Sequence, residues 1–431
     1  MRILLLLTLI ISLASSIPLV QEFFAAMDKY HGMSRGLMSG GLPSGGDKVT
    51  ERERFLNFKQ YKTEIDRING DDSIPYSAEV NMFSTLTEAE RRQYTGLNIS
   101  KYAEEETKLH LSAEPNLPTS SQPKYLDWVS RGANPPMKNQ GSCGSCWAFG
   151  TISSIESTYF LMTGDLVPFA EQELLDCTYE TDGCKGGWLS HPINYVKHAR
   201  RLASSEDKVY NQEDGSCSYS RVANSLTKAR VTGYQTYKGD SGLISGLNKG
   251  VVSVAIYVGN TFHVYKNGIY KDVSGCQNKS PNHAVSVVGY GNTGGENYWK
   301  VRNSWGAQWG DKGYIRMSRD VSSNCGISEH IYRPIMQCTG DCNPPQFDEQ
   351  EEKECKNLKK ETYCDRFSDH CDKGRYYGWM TKNCKKTCGI CEGADNNDET
   401  NDNNGGKCPT GTVRCSDGVC KHEHMCHYNR V

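Results

Sequence analysis

The sequence predicts an α+β fold in two halves, and three observations predict it. An apolar run opened by Cys146-Trp147-Ala148-Phe149, followed by Glu171 to Cys177, reads as a helical half ending near Gly215. From about Val231 to Ile335, stretches rich in β-branched and aromatic residues read as a β-rich half. Nineteen cysteines, none before Cys143, point to a disulfide framework in an oxidising compartment.

The elements follow in chain order. Residues 1–16 form an export signal: Arg2 is its charged start, Ile3 to Leu13 its apolar run and Ala14-Ser15-Ser16 its small-residue cleavage site. That run is too short to span a bilayer, and no later segment is long enough. Residues 17–121 are polar and cysteine-free. Within them Gln21 to Tyr30 is a short amphipathic helix with Phe23, Phe24 and Met27 on one side, and Gly36 to Gly46 a flexible loop. Glu51 to Asn69 is a helix with Phe55, Phe58, Tyr61, Ile65 and Ile68 at three- and four-residue spacing, ended by Gly70-Asp71-Asp72. In the second half the strands are Val251 to Val258, Ala284 to Tyr290, Tyr298 to Asn303 and Gly313 to Met317, with His263 also in a strand. Residues 338–354 are a solvated linker, with Asn343-Pro344-Pro345 and the acidic run Asp348 to Glu354. Residues 355–391 carry six cysteines, residues 392–407 an Asn/Asp/Gly linker unable to form a core, and residues 408–431 a short cysteine-rich tail. A formal net charge of −2 argues against nucleic acid as a partner.

The chemistry concentrates at Gln140-Gly141-Ser142-Cys143-Gly144-Ser145-Cys146-Trp147. A thiol nucleophile needs a lowered pKa, a base, a donor for the developing oxyanion and a rigid support. Small residues before Cys146 allow close backbone approach, and a helix opening at Cys146 places its positive dipole end at the sulfur. A base and its orienting partner lie downstream at His283 and Asn303, 137 and 157 residues after Cys146. In these motifs, their order and their spacing, residues 50–335 resemble a cathepsin L-like zymogen of the papain-like cysteine proteases.

The resemblance implies a two-lobed papain-like fold, a helical lobe beside a β-barrel-like one, with residues 122–337 as the peptidase domain and Gln122 to Trp128 its first strand. It implies Cys146 as nucleophile, His283 as imidazolium partner and general acid–base, Asn303 as its orienter and Gln140 as an oxyanion donor. Trp305 would shield the Asn303–His283 bond. The ion pair would keep the thiol ionised into acid, and no metal or cofactor is called for. Gly186 and Gly187 correspond to the platform that holds the substrate strand. Trp188, Leu189, Ala255, Ala284 and His330 correspond to the pocket for the residue two positions upstream of the cut, here apolar, with His330 able to admit an acidic side chain when protonated. No inserted loop suggests an exopeptidase, so an endopeptidase acting on polypeptides is expected.

The same resemblance casts residues 17–121 as an inhibitory propeptide. Its helix motif is met at Arg54, Phe58, Ile65 and Asn69 and departs at Thr50 and Tyr61. The motif after it keeps Asn81 and Phe83 and departs at Glu79 and Thr85. An extended segment around Lys101 to Pro118 is expected to fill the cleft. The implied disulfides are Cys143–Cys184, Cys177–Cys217 and Cys276–Cys325, leaving Cys338 and Cys342 near enough in sequence to pair. Residues 355–391 resemble the ShK toxin-like domain, whose pairing implies Cys355–Cys391, Cys364–Cys384 and Cys371–Cys388. So small a core needs such bridges. Arg375-Tyr376 stands where channel-blocking relatives carry a Lys-Tyr dyad, so an extracellular adhesion or targeting ligand is favoured over a channel. The tail resembles half of a low-density-lipoprotein-receptor class A module without its acidic calcium-binding half. Its His422, His424, Cys426 and His427 read as a bridged tail rather than a zinc site. Asn98 and Asn278 head glycosylation sequons. The expected location is secreted, either extracellular or lysosomal.

Overall fold

The computed structural model describes residues 18–31, 49–97, 101, 125–218, 223–276, 278–293, 295–319 and 324–347, with two short strands at 413–414 and 420–421. The expected export signal, the 355–391 segment with its three implied disulfides, the Asn98 sequon and residues 102–124 therefore lie outside the described residues.

Two helices begin the described chain. Helix α1, residues 18–31, buries Phe23, Ala26 and Met27 against Phe58. Phe24, expected on the same side, is 52% exposed, because consecutive helical residues point about 100° apart. Helix α2, Glu51–Asn69, buries Phe58, Tyr61, Ile65 and Ile68 as expected, with Arg54 in place of Phe55. Thr50 proves to be its N-cap: its hydroxyl accepts from the Glu53 N–H while the Glu53 carboxylate accepts from the Thr50 N–H. Asn69 then clamps the next strand, β1 (Tyr76–Ala78), donating to the Ala78 carbonyl at 2.8 Å and accepting from its N–H at 2.9 Å.

Arg54 and Glu90 form a buried ion pair at 2.6 Å, and Glu90 also accepts from Thr87. Removing one partner leaves the other charge uncompensated. The Arg54→Ala precursor is therefore expected to lose about 3–5 kcal/mol in urea unfolding of its N-terminal region. A loss below about 1 kcal/mol would place the pair among inert surface contacts.

The remaining strands are β2 (Leu126–Asp127), β3 (Ala229–Tyr237), β4 (Val252–Ile256), β5 (Tyr265–Tyr270), β6 (His283–Thr293), β7 (Glu296–Arg302), β8 (Tyr314–Ser318) and β9 (Ile331–Cys338). They form one sheet in the order β1-β5-β8-β7-β6-β4-β9-β3, with β2 paired to β6. The N-terminal region thus adds its own strand to the edge of the catalytic sheet, covering the backbone groups of β5. His263 is not in a strand: it closes a single helical turn, Asn260–His263, just before β5.

Against this sheet lies the helical half: α3 (Cys146–Thr163), α4 (Glu171–Cys177) and α5 (Ser190–Ala199). Helix α3 is buried over most of its length, as its apolar composition requires. At Gly150 it is bound to the sheet: the Gly150 carbonyl accepts from the Ser253 and Ser286 hydroxyls. Residues 338–347 are not a free linker. Thr339 and Gly340 donate to the Lys228 carbonyl, and Phe347 packs edge-on against Trp128 at 5.8 Å. Separately, Val413–Arg414 and Cys420–Lys421 form a small antiparallel hairpin.

Candidate active site

Cys146 is the first residue of α3 and fully buried, the free cysteine among the described residues. Disulfides join Cys143–Cys184, Cys177–Cys217, Cys276–Cys325 and Cys338–Cys342. The first of them ties the nucleophile loop to the glycine platform.

From the sheet side, β6 delivers His283. Its Nε2 is 2.8 Å from the Asn303 Oδ1, and its Nδ1 has no hydrogen-bond partner. Trp305 lies 4.9 Å from the imidazole, ring to ring, and keeps that bond dry. Gln140 is held at every polar atom. Its N–H donates to the Ser304 carbonyl at 2.8 Å, its Oε1 accepts from the Ser304 hydroxyl, and its Nε2 donates to the Cys143 carbonyl at 2.9 Å. Ser304 thereby sets which end of the amide faces the nucleophile.

The cleft is closed by the N-terminal region. The Tyr94 carbonyl accepts from Gln140 Nε2 and from Trp305 Nε1, both at 3.1 Å, so the side-chain donor facing the site is already engaged. Gly96 and Leu97 both donate to the Asn282 carbonyl at 3.1 Å, and Gly187 donates to the Gly96 carbonyl at 2.9 Å. Leu97 runs parallel to Gly187 and is buried in the apolar cluster that holds Trp188, Leu189, Ala255 and Ala284. The His330 ring stands edge-on to Trp188 at 5.5 Å. Phe83 packs 4.6 Å from Trp305, and Asn81 donates to the His263 carbonyl. Among the described residues the covering segment is 94–97. Lys101 pairs with Asp182 at 2.6 Å, and the rest of the expected Lys101 to Pro118 segment lies outside the described residues.

The electrostatics follow from that cover. Burial pushes the Cys146 thiol up to about 12, although the N–H groups of Ala284, Gly96, Trp147 and Cys146 itself pull the other way. Burial drives His283 down to about 4, offset in part by Asn303. Burial under the cover thus shifts both groups toward their neutral forms, against the thiolate–imidazolium pair expected of the open site. Water excluded by 94–97 can solvate neither charge.

Residues 122–335 match the model of the papain family cysteine proteases, and residues 354–391 match the ShK domain-like model. Ananain of Ananas comosus is 35% identical over 66% of this chain and 81% of its own length. The chain belongs to the papain family of cysteine proteases.

Digestive cysteine proteinase 2 of Homarus americanus is 34% identical over 67% of this papain-family protease and 90% of its own length. Among solved structures, a recombinant stem bromelain precursor aligns with TM-score 0.62 at 34% identity, covering 74% of this chain and 98% of that one. Digestive procathepsin L 3 of the Tenebrio molitor larval midgut aligns with TM-score 0.60 at 28% identity, covering 73% and 98%. The likeness to precursors extends to the N-terminal region, so the protease is zymogen-like.

Of the residues singled out in sequence, Gln140, Asn303 and His283 are linked through Ser304, Cys146 meets the N–H of Ala284 next to His283, and Gly187 donates to the Gly96 carbonyl. Tyr94, Gly96, Leu97, Ser304 and Tyr210 belong to the same site without any sequence signal of their own. Gly96 alone bears a mark, and a lone glycine normally reads as a turn.

Proposed function

We propose that this papain-family protease is a secreted endopeptidase made as a silent zymogen. Cys146 is its nucleophile, His283 its acid–base, Asn303 the orienter and Gln140 the oxyanion donor alongside the Cys146 N–H. Once the cleft is open, the Cys146 thiolate attacks the scissile carbonyl carbon, and a sulfur–carbon bond forms as negative charge moves to oxygen. The charge is met by Gln140 Nε2, the group now engaged by Tyr94. The carbon–nitrogen bond breaks as His283 passes its proton to the leaving amine, leaving a thioester. Water then gives its proton to His283 and its oxygen to the acyl carbon, and the thiol is regenerated on release of the acid.

The observation that carries this reading is that the His283–Asn303 pair stands at the start of β6, whose next residue, Ala284, directs its N–H at the sulfur of the one free, buried cysteine among the described residues. Leu97 in the Trp188–Leu189–Ala255–Ala284 cluster supports an apolar preference two residues upstream of the cut. The ShK-like domain at 354–391 would bind an extracellular ligand, and the export signal favours an extracellular or lysosomal site of action.

The test is acid processing of the purified precursor, followed with a peptide carrying leucine or aspartate two positions before the cut. Loss of residues 17–121 should coincide with cleavage of the leucine peptide, and Cys146→Ala should lower kcat/KM by at least about a thousandfold. Comparable activity in Cys146→Ala would dismiss the nucleophile, and preference for the aspartate peptide would dismiss the apolar pocket.

A further inference from the structure

Ser145 is the N-cap of α3, and serine at that position normally accepts from an N–H of the first turn. Here its hydroxyl makes no such bond. It lies instead 2.7 Å from the Tyr210 hydroxyl, which donates to the Gln140 carbonyl at 2.8 Å. Tyr210 has one proton and that proton is engaged, so Ser145 is the donor in the pair. The Cys143 carbonyl, 3.5 Å away, is a poorer partner.

The Ser145 carbonyl takes the N–H groups of Ala148 and Phe149. Those of Cys146 and Trp147 remain, and both act on the Cys146 sulfur. A hydroxyl oxygen turned back over the helix start would compete with the sulfur for the Trp147 N–H, the donor within a cap's reach.

Tyr210 is itself anchored. Its ring meets Phe149 edge-on at 4.9 Å. Its loop is tied to α4 by Gln172, which accepts from the Asn211 N–H and donates to the Glu213 carbonyl. Asp176 accepts from the Gly215 N–H, and the Cys177–Cys217 disulfide closes the loop. Next to Tyr210, the Gln212 side chain fills the space beside Gly141.

We propose that Tyr210 is a positioning residue: it draws the Ser145 hydroxyl off the start of α3 and so keeps the Trp147 N–H directed at the reacting sulfur. The proposal rests on the reading of Cys146 as the nucleophile. It predicts that the tyrosine acts through Ser145, which a merely structural tyrosine would not.

The experiment compares processed wild type with Tyr210→Phe, Ser145→Ala and the double variant. The readouts are the pH profile of Cys146 alkylation by iodoacetamide, and kcat and KM on the leucine peptide. In Tyr210→Phe the freed hydroxyl caps the helix, and alkylation at acid pH falls about tenfold, the worth of one charge-assisted hydrogen bond. kcat falls with it while KM stays nearly constant. Ser145→Ala alone matches wild type, and the double variant returns to that level because no hydroxyl is left to compete.

A Tyr210→Phe profile superimposed on wild type overturns the proposal, as does a double variant no better than Tyr210→Phe. If Tyr210→Phe does not mature, Ser145→Asn serves, since its amide oxygen caps without release from Tyr210. It should reproduce the loss, and an unchanged profile again overturns the proposal. Failure of wild type to be alkylated at Cys146 would instead count against the nucleophile assignment.

Discussion

Gly96→Val should turn the silent precursor into one whose Cys146 reacts before any cleavage of the chain. A Cβ at Gly96 would stand 1.9 Å from the Gly144 carbonyl oxygen, 2.5 Å from its carbon and 2.9 Å from its Cα. All three are backbone atoms of the nucleophile loop, which Cys143–Cys184 ties down, so they cannot step aside. The segment must lift. Lifting it breaks the bonds of Gly96 and Leu97 to Asn282 and of Gly187 to Gly96, and withdraws Leu97 from its apolar cluster. At about 1 kcal/mol per hydrogen bond and about 2 kcal/mol for the leucine, the loss exceeds about 3 kcal/mol, more than a hundredfold in occupancy of the cleft. Iodoacetamide labelling of the uncleaved precursor at neutral pH measures this directly. A Gly96→Val precursor as slow to label as its parent would mean that 94–97 does not guard the sulfur.

Acid should release the same segment, and His263 should supply part of the pH dependence. Its ring is buried, stacked on Trp305 at 5.4 Å and covered by Phe83 at 5.0 Å, with neither nitrogen making a good hydrogen bond. Burial drives it from 6.5 down to about 3. The charged groups facing it add to this: Arg91 of the N-terminal region and His283 of the site both oppose a second positive charge, and the backbone of Gly259 and Asn260 offsets only part. The sign follows. When the N-terminal region leaves, Phe83 and Arg91 leave with it, and the ring regains water and its ordinary proton affinity. The docked state therefore binds fewer protons, so docking is strongest above about pH 6.5 and weakens as pH falls toward about 3. One such group contributes at most about 1.4 kcal/mol per pH step, and His283, held at about 4 under the cover, adds in the same direction. His263→Gln should move the activation midpoint to lower pH and flatten its slope by about one proton. A variant with the parent's midpoint and slope would remove His263 from the trigger.

The departures from the family's N-terminal motifs become intelligible once packed. Thr50 caps α2, and Tyr61 reaches Asn260 of the catalytic half at 3.3 Å while Arg91 stacks on its ring. Glu79 pairs with Lys266, and Thr85 meets His31 at 2.7 Å. Thr50 aside, whose partner Glu53 is three residues on, each partner is remote in sequence, so a window of neighbouring residues could not reveal it. Helix α2 and α4 were legible to the residue because their boundaries rest on local signals: a cap, a period, a closing glycine or cysteine. His263 was misread as strand because Thr-Phe-His-Val-Tyr has strand composition, while its partners Trp305 and Phe83 come from elsewhere in the chain.

By itself the sequence determined the family of this protease and the candidates for its chemistry. Nucleophile, base, orienter and donor are side-chain identities, and their order and spacing along the chain nominate Cys146, His283, Asn303 and Gln140. Only the tertiary structure showed which of the described segments covers the site, and in which direction burial shifts its thiol and imidazole. Both depend on backbone atoms brought together from distant positions: Gly96 against Gly144, Tyr94 against Gln140, and Leu97 beside Gly187. Close approach of this kind excludes water, and excluded water sets the charge of Cys146 and His283.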